Sequence, residues 1–61
     1  MIYIKKIDSV EFDVYANFSR MLEEVGFDGS KGHLINHEYH IIIIDGIEYK
    51  YAKSLEKLLE L

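Results

Sequence analysis

Asp45-Gly46, set between Ile41-Ile42-Ile43-Ile44 and Ile47-Glu48-Tyr49-Lys50-Tyr51, constrains this 61-residue chain more than any other feature. A type I′ turn needs positive φ at both central residues, and Asp-Gly between apolar runs is the strongest short-range signal for one. A two-residue loop also sets the pairing. Ile44 falls opposite Ile47, Ile42 opposite Tyr49 and His40 opposite Tyr51, all on one sheet face. The other face pairs Ile43 with Glu48 and Ile41 with Lys50, and carries Tyr39 nearby. The hairpin Tyr39 to Tyr51 therefore has one wholly apolar face and one mixed face.

A helix to cover the apolar face lies upstream. Val14, Phe18, Met21, Leu22 and Val25 recur at i, i+4, i+7, i+8 and i+11, which places them on one stripe of a helix over residues 14–25. Asp13 can cap its start, and Gly26 followed by Phe27 suits a left-handed stop, with Phe27 folding back onto Leu22. Ile2-Tyr3-Ile4 reads as a strand. Val10 to Val14 alternates apolar and polar with period two, which predicts a second strand across an Asp8-Ser9 turn. The competing reading extends the helix back to Ser9, with Asp8 and Glu11 as a capping box, but it sets Glu11 inside the apolar stripe. Residues 26–32 hold three glycines and read as a plain connector. Leu55, Leu58 and Leu59 behind Ser54 predict a short C-terminal helix over about 53–60, too short to stand without packing.

These elements predict one domain over residues 1–61 in the α+β class. It has two layers: a mainly antiparallel sheet of three or four strands, the 14–25 helix on its apolar face, and the short helix beside it. The expected core is Ile4, Val14, Phe18, Met21, Leu22 and Val25 with Ile42, Ile44, Ile47, Tyr49, Leu55 and Leu58. A chain of this size buries only about 60% of its unfolded surface. It has no cysteine to staple it, so stability must come from packing or association.

Charge narrows the partners. Seven Lys plus Arg against eleven Asp plus Glu leave a net charge of −4, and Lys5-Lys6 is the longest basic run. Phosphate capture needs several clustered cations, so direct nucleic-acid binding is not expected. The longest apolar run, Ile41 to Ile44, is far below the ~18 residues of a membrane span, and the N-terminus does not follow signal-peptide order. The expected location is the cytoplasm or a host cytosol, without membrane contact.

Three clusters carry possible chemistry. His33, His37, Glu38 and His40 include the usual ligands of zinc. On a strand, however, His37 and His40 point to opposite faces, and His-Glu-x-His is one residue short of the zincin spacing. No metal and no other cofactor is expected. His40 is expected to stack on Tyr51 instead. Gly29-Ser30-Lys31-Gly32-His33 resembles, over about a dozen residues, the Gly-Ser-His segment between helix and hairpin in toxin-type ribonucleases of the HicA family. The resemblance implies His33 as general acid or base, since imidazole titrates near neutrality, although the contiguous Gly-Ser-His is interrupted here. The acidic residues Asp8, Glu11, Asp13, Glu23, Glu24 and Asp28 suggest either a solvated face or an imitation of DNA phosphates aimed at a nucleic-acid-binding protein.

The reading these observations favour is a non-enzymatic protein-interaction module, a homodimer or an inhibitor or regulator of another protein. Its expected binding residues are Tyr39, Ile41 and Ile43, and no catalytic set is assigned. Burying an Ile is worth roughly 1.5–3 kcal/mol, so an apolar second face invites a cover.

Overall fold

A computed structural model describes residues 1–60. The elements run β1 (Ile2–Lys6), β2 (Asp13–Tyr15), α1 (Phe18–Val25), β3 (Leu34–Asn36), β4 (Ile41–Ile44), β5 (Ile47–Ala52) and α2 (Leu55–Glu60), with a 3₁₀ turn at Gly29–Lys31. The strands form one five-stranded sheet in the order β2-β1-β5-β4-β3, antiparallel at every pairing.

The Asp45-Gly46 turn forms with φ 52° and 79°, the left-handed conformation a type I′ turn requires. Its register follows: Ile44 pairs with Ile47, Ile43 with Glu48, Ile42 with Tyr49 and Ile41 with Lys50. The Tyr51 N–H continues the pairing by donating to the His40 carbonyl at 3.0 Å. β5 is the longest strand and lies at the centre of the sheet, and its other neighbour is β1, with Ile4 against Tyr51 and Tyr3 against Ala52. Alternation then places Ile2, Ile4, Tyr15, Ile35, Ile42, Ile44, Tyr49 and Tyr51 on one face. On that face Ile2, Ile4, Ile42, Ile44 and Tyr51 are buried with Met21 of α1, and Phe18, Leu22 and Val25 pack around them.

The helix is shorter than its apolar stripe suggests. Its cap is Asn17, whose Oδ1 accepts from the Arg20 N–H at 2.9 Å, rather than Asp13. Residues 13–15 instead form β2, pairing Ile2 with Tyr15 and Tyr3 with Val14. Val14 shared the helical spacing, but β-branched and aromatic residues suit a strand, and β1 offers an edge to pair with. The strand nonetheless starts at Asp13 and not at Val10. Lys5 holds the intervening loop: its Nζ donates to the carbonyls of Lys6, Ile7 and Ser9 at 3.1, 3.3 and 2.8 Å. Val10 in that loop is 95% exposed. At the other end Gly26 adopts φ 80°, and the Phe27 N–H reaches the Leu22 carbonyl at 2.9 Å, closing a Schellman motif.

A fifth strand is absent from the sequence reading. Leu34–Asn36 pairs with Ile41–Ile43, so residues 37–40 are a turn and the hairpin with β5 begins at Ile41 rather than Tyr39. Asn36 builds that turn by accepting the Tyr39 N–H at 3.1 Å. α2 starts behind Ser54, whose Oγ accepts from the Lys57 N–H at 3.2 Å. Of the expected core, Val14 and Ile47 are exposed, while Ile2, Tyr51, Ala52 and His33 are buried in addition.

Ile42→Ala removes a fully buried side chain from the centre of the sheet. Its expected cost is about 2–5 kcal/mol, a large part of the roughly 3–9 kcal/mol available to a domain of this length. Val10→Ala should stay within about 0.5 kcal/mol of wild type, and urea titration of both variants separates the two outcomes.

Candidate functional site

The face of the sheet turned away from α1 holds two of the three expected binding residues. Ile43 lies between Leu34 and Glu48, and Ile41 between Asn36 and Lys50. Both isoleucines are half-buried, and Leu34 is 62% exposed. Tyr39 is exposed at the tip of the β3–β4 turn, outside the sheet. Leu34 escaped the sequence reading because β3 did. The available signal was a pair of apolar residues followed by Asn, a turn initiator.

The C-terminal helix covers a different part of the same face. It packs on β5 and β1. Ala52, which pairs with Tyr3 on this face, and Leu58 are both buried, yet neither belongs to the cluster under α1. α2 therefore closes the Tyr3–Ala52 end with Leu58, while Leu59 is exposed. The Tyr3 ring also meets Phe12 at a centroid distance of 6.0 Å. Leu34, Ile43 and Ile41 lie together on β3 and β4, away from that end.

The three histidines do not assemble. His33 is buried, and its ring joins two loops: Nδ1 accepts the Asp28 N–H at 2.9 Å, and Nε2 lies 3.1 Å from an Asp45 carboxylate oxygen. Because Nδ1 is an acceptor from a backbone amide, the proton of the neutral ring sits on Nε2 and points at Asp45. Both nitrogens are thereby engaged in hydrogen bonds within the fold. His37 and His40 do not diverge as a strand would make them, because they belong to the turn. His37 Nδ1 shares a 2.8 Å hydrogen bond with the Tyr51 hydroxyl, and the His40 ring stacks on Tyr51 at 5.3 Å and 22°. Among the described residues no three His, Cys, Asp or Glu are grouped to hold a metal ion.

The acidic residues are spread as well. Glu11, Asp13 and Glu24 line a recess of about 360 Å³, but Lys5 and Lys6 line it too. Burial, then the carboxylates of Asp13 and Glu24, push the Tyr15 phenol above its ordinary value. Glu24 faces Arg20 at 3.6 Å along α1. Asp28 caps the 3₁₀ turn, accepting the Ser30 hydroxyl at 2.7 Å and the Ser30 N–H at 3.0 Å, and these two bonds hold its carboxyl below the usual range. Asp8 and Glu23 are exposed. No helix among the described residues is long and apolar enough to cross a membrane. Compared with known families, characterised proteins and solved structures, the chain matches none.

His33→Ala strips the Asp28 amide and the Asp45 carboxylate of their shared partner and should cost about 1–3 kcal/mol, read from urea unfolding near neutral pH. A second expectation concerns alkali. Burial raises the Tyr51 phenol above 10.0, so the folded chain holds that proton more tightly than the unfolded one. The resulting stability is intact below 10.0 and is lost as pH climbs through the higher folded value. Urea midpoints measured across the alkaline range should fall less steeply for Tyr51→Phe than for wild type.

Proposed function

We propose that the chain is a non-enzymatic protein-interaction module that docks through Leu34, Ile43 and Ile41, and that the surface it meets is a second copy of itself. The observation that carries this reading is the position of Leu34, 62% exposed and directly across from half-buried Ile43 on the face turned away from the α1 core. Each such aliphatic side chain forgoes roughly 1.5–3 kcal/mol when left in water, and a chain without disulfides has few other sources of stability. β3 is also an edge strand of three residues, so its outer backbone groups stand ready to pair with another chain. The patch is flanked by Glu48 and Lys50, opposite charges on one strand, which suits an antiparallel approach of two identical faces.

Sedimentation of the wild-type chain should therefore give a mass above that of the 7.2 kDa monomer, with little change as salt is raised. Leu34→Lys and Ile43→Lys should each return it to monomer mass with the circular dichroism of the folded chain intact. A wild-type chain that remains monomeric at high concentration, with the Leu34 and Ile43 amide resonances unmoved by dilution, overturns self-association.

A further inference from the structure

At the end of the sheet where α1 begins, the β3–β4 turn and the flank of α2 border a groove of about 860 Å³. Its size is that of small-molecule sites, which span about 300–1,000 Å³ and combine an apolar lining with a few polar groups. The floor is aromatic. Phe18 and Tyr51 meet at a centroid distance of 5.1 Å, His37 lies 5.7 Å from Phe18, and His40 stacks on Tyr51. Ile2 and Ala52 extend the apolar lining.

The turn that brings the imidazoles here is an unfavourable one. His40 has φ 56°, a left-handed conformation that a residue with a Cβ seldom adopts. The His37 bond to the Tyr51 hydroxyl fixes the second imidazole against the same ring. The rim carries the opposite sign to the chain as a whole. Among the described residues, Lys53, Lys57 and Glu60 are the charged groups that line it, although the chain is net −4.

We propose that this groove binds a small planar aromatic anion, its ring lying against Phe18 and the exposed His40 above the buried Tyr51, and its phosphate or carboxylate meeting Lys53 and Lys57. Aromatic rings favour offset or stacked partners, and two cations at one edge of an apolar slot select a ligand with charge at one end. This assignment stands independently of self-association, which uses the other face of the sheet.

The test is a nuclear magnetic resonance titration of the ¹⁵N-labelled chain with adenosine monophosphate and with naphthoate, using naphthylmethanol as the uncharged control. At least one anion should give saturable shifts at the amides of Phe18, Tyr51, Lys53 and Lys57. It should bind about tenfold tighter than naphthylmethanol, and a Lys53→Glu/Lys57→Glu double variant should weaken it by about tenfold or more. Both lysines are exposed, so the variant's spectrum should remain that of the folded chain. Binding of the nucleotide alone assigns the charge to a phosphate, and binding of naphthoate alone assigns it to a carboxylate. The proposal is overturned if neither anion saturates at millimolar concentration, or if naphthylmethanol binds as tightly as the anions to both chains.

Discussion

Asp45 and Gly46 hold φ 52° and 79°, and the partition of the isoleucines depends on that pair of angles. A side chain in a strand changes face with every residue, so a slip of one position would send Ile41 and Ile43 under α1 and expose Ile42 and Ile44. The turn is secured from outside the hairpin too. Asp45 takes the Nε2 hydrogen of His33, whose Nδ1 takes the Asp28 N–H, so the loop that follows α1 and the tip of the hairpin share one buried ring. Asp28 in turn caps the 3₁₀ segment through Ser30. One imidazole thus connects the helix exit to the residue that sets the sheet register.

With the register given, β5 becomes the axis of the molecule. It pairs with β4 through the turn and with β1 from the start of the chain, and each pairing carries the same alternation outward. The two helices that follow are unequal covers. α1 brings Phe18, Met21, Leu22 and Val25 to one face, where Ile42 is fully buried. α2 has six residues and seals only the Tyr3–Ala52 end of the other face with Leu58. The open Leu34–Ile43 patch follows from that difference in length, since a helix of under two turns cannot reach from β1 to β3.

Much of this was legible in the residues. The hairpin register, the Gly26 stop, the Ser54 cap and the His40–Tyr51 stack all follow from local rules that the fold obeys. The misses share a cause. Val14 matched both the helical and the strand period, and the decision between them lay with Ile2 and Tyr3, strand residues eleven or more positions away. Leu34–Asn36 is too short to show a period at all and becomes a strand only because β4 presents a free edge. The histidines were misplaced for the same reason: without β3, residues 37–40 extend β4 and send His37 and His40 apart.

That turn is also what gives the molecule two distinct surfaces. As a strand, residues 37–40 would lengthen the hairpin and spread its side chains evenly over both faces. As a turn, they carry His37 and His40 together onto Tyr51, on the α1 side, and leave Tyr39 exposed at the tip. The imidazoles are thereby gathered on the α1 side, while Leu34, Ile41 and Ile43 lie on the other face across β3 and β4. The energetic cost of a left-handed His40 is of order 1–3 kcal/mol. The Asn36 side chain, whose Oδ1 accepts the Tyr39 N–H, and the Tyr51 N–H bond to the His40 carbonyl supply hydrogen bonds on either side of that residue to offset it. His40 is thereby held from both sides in the turn that borders the groove.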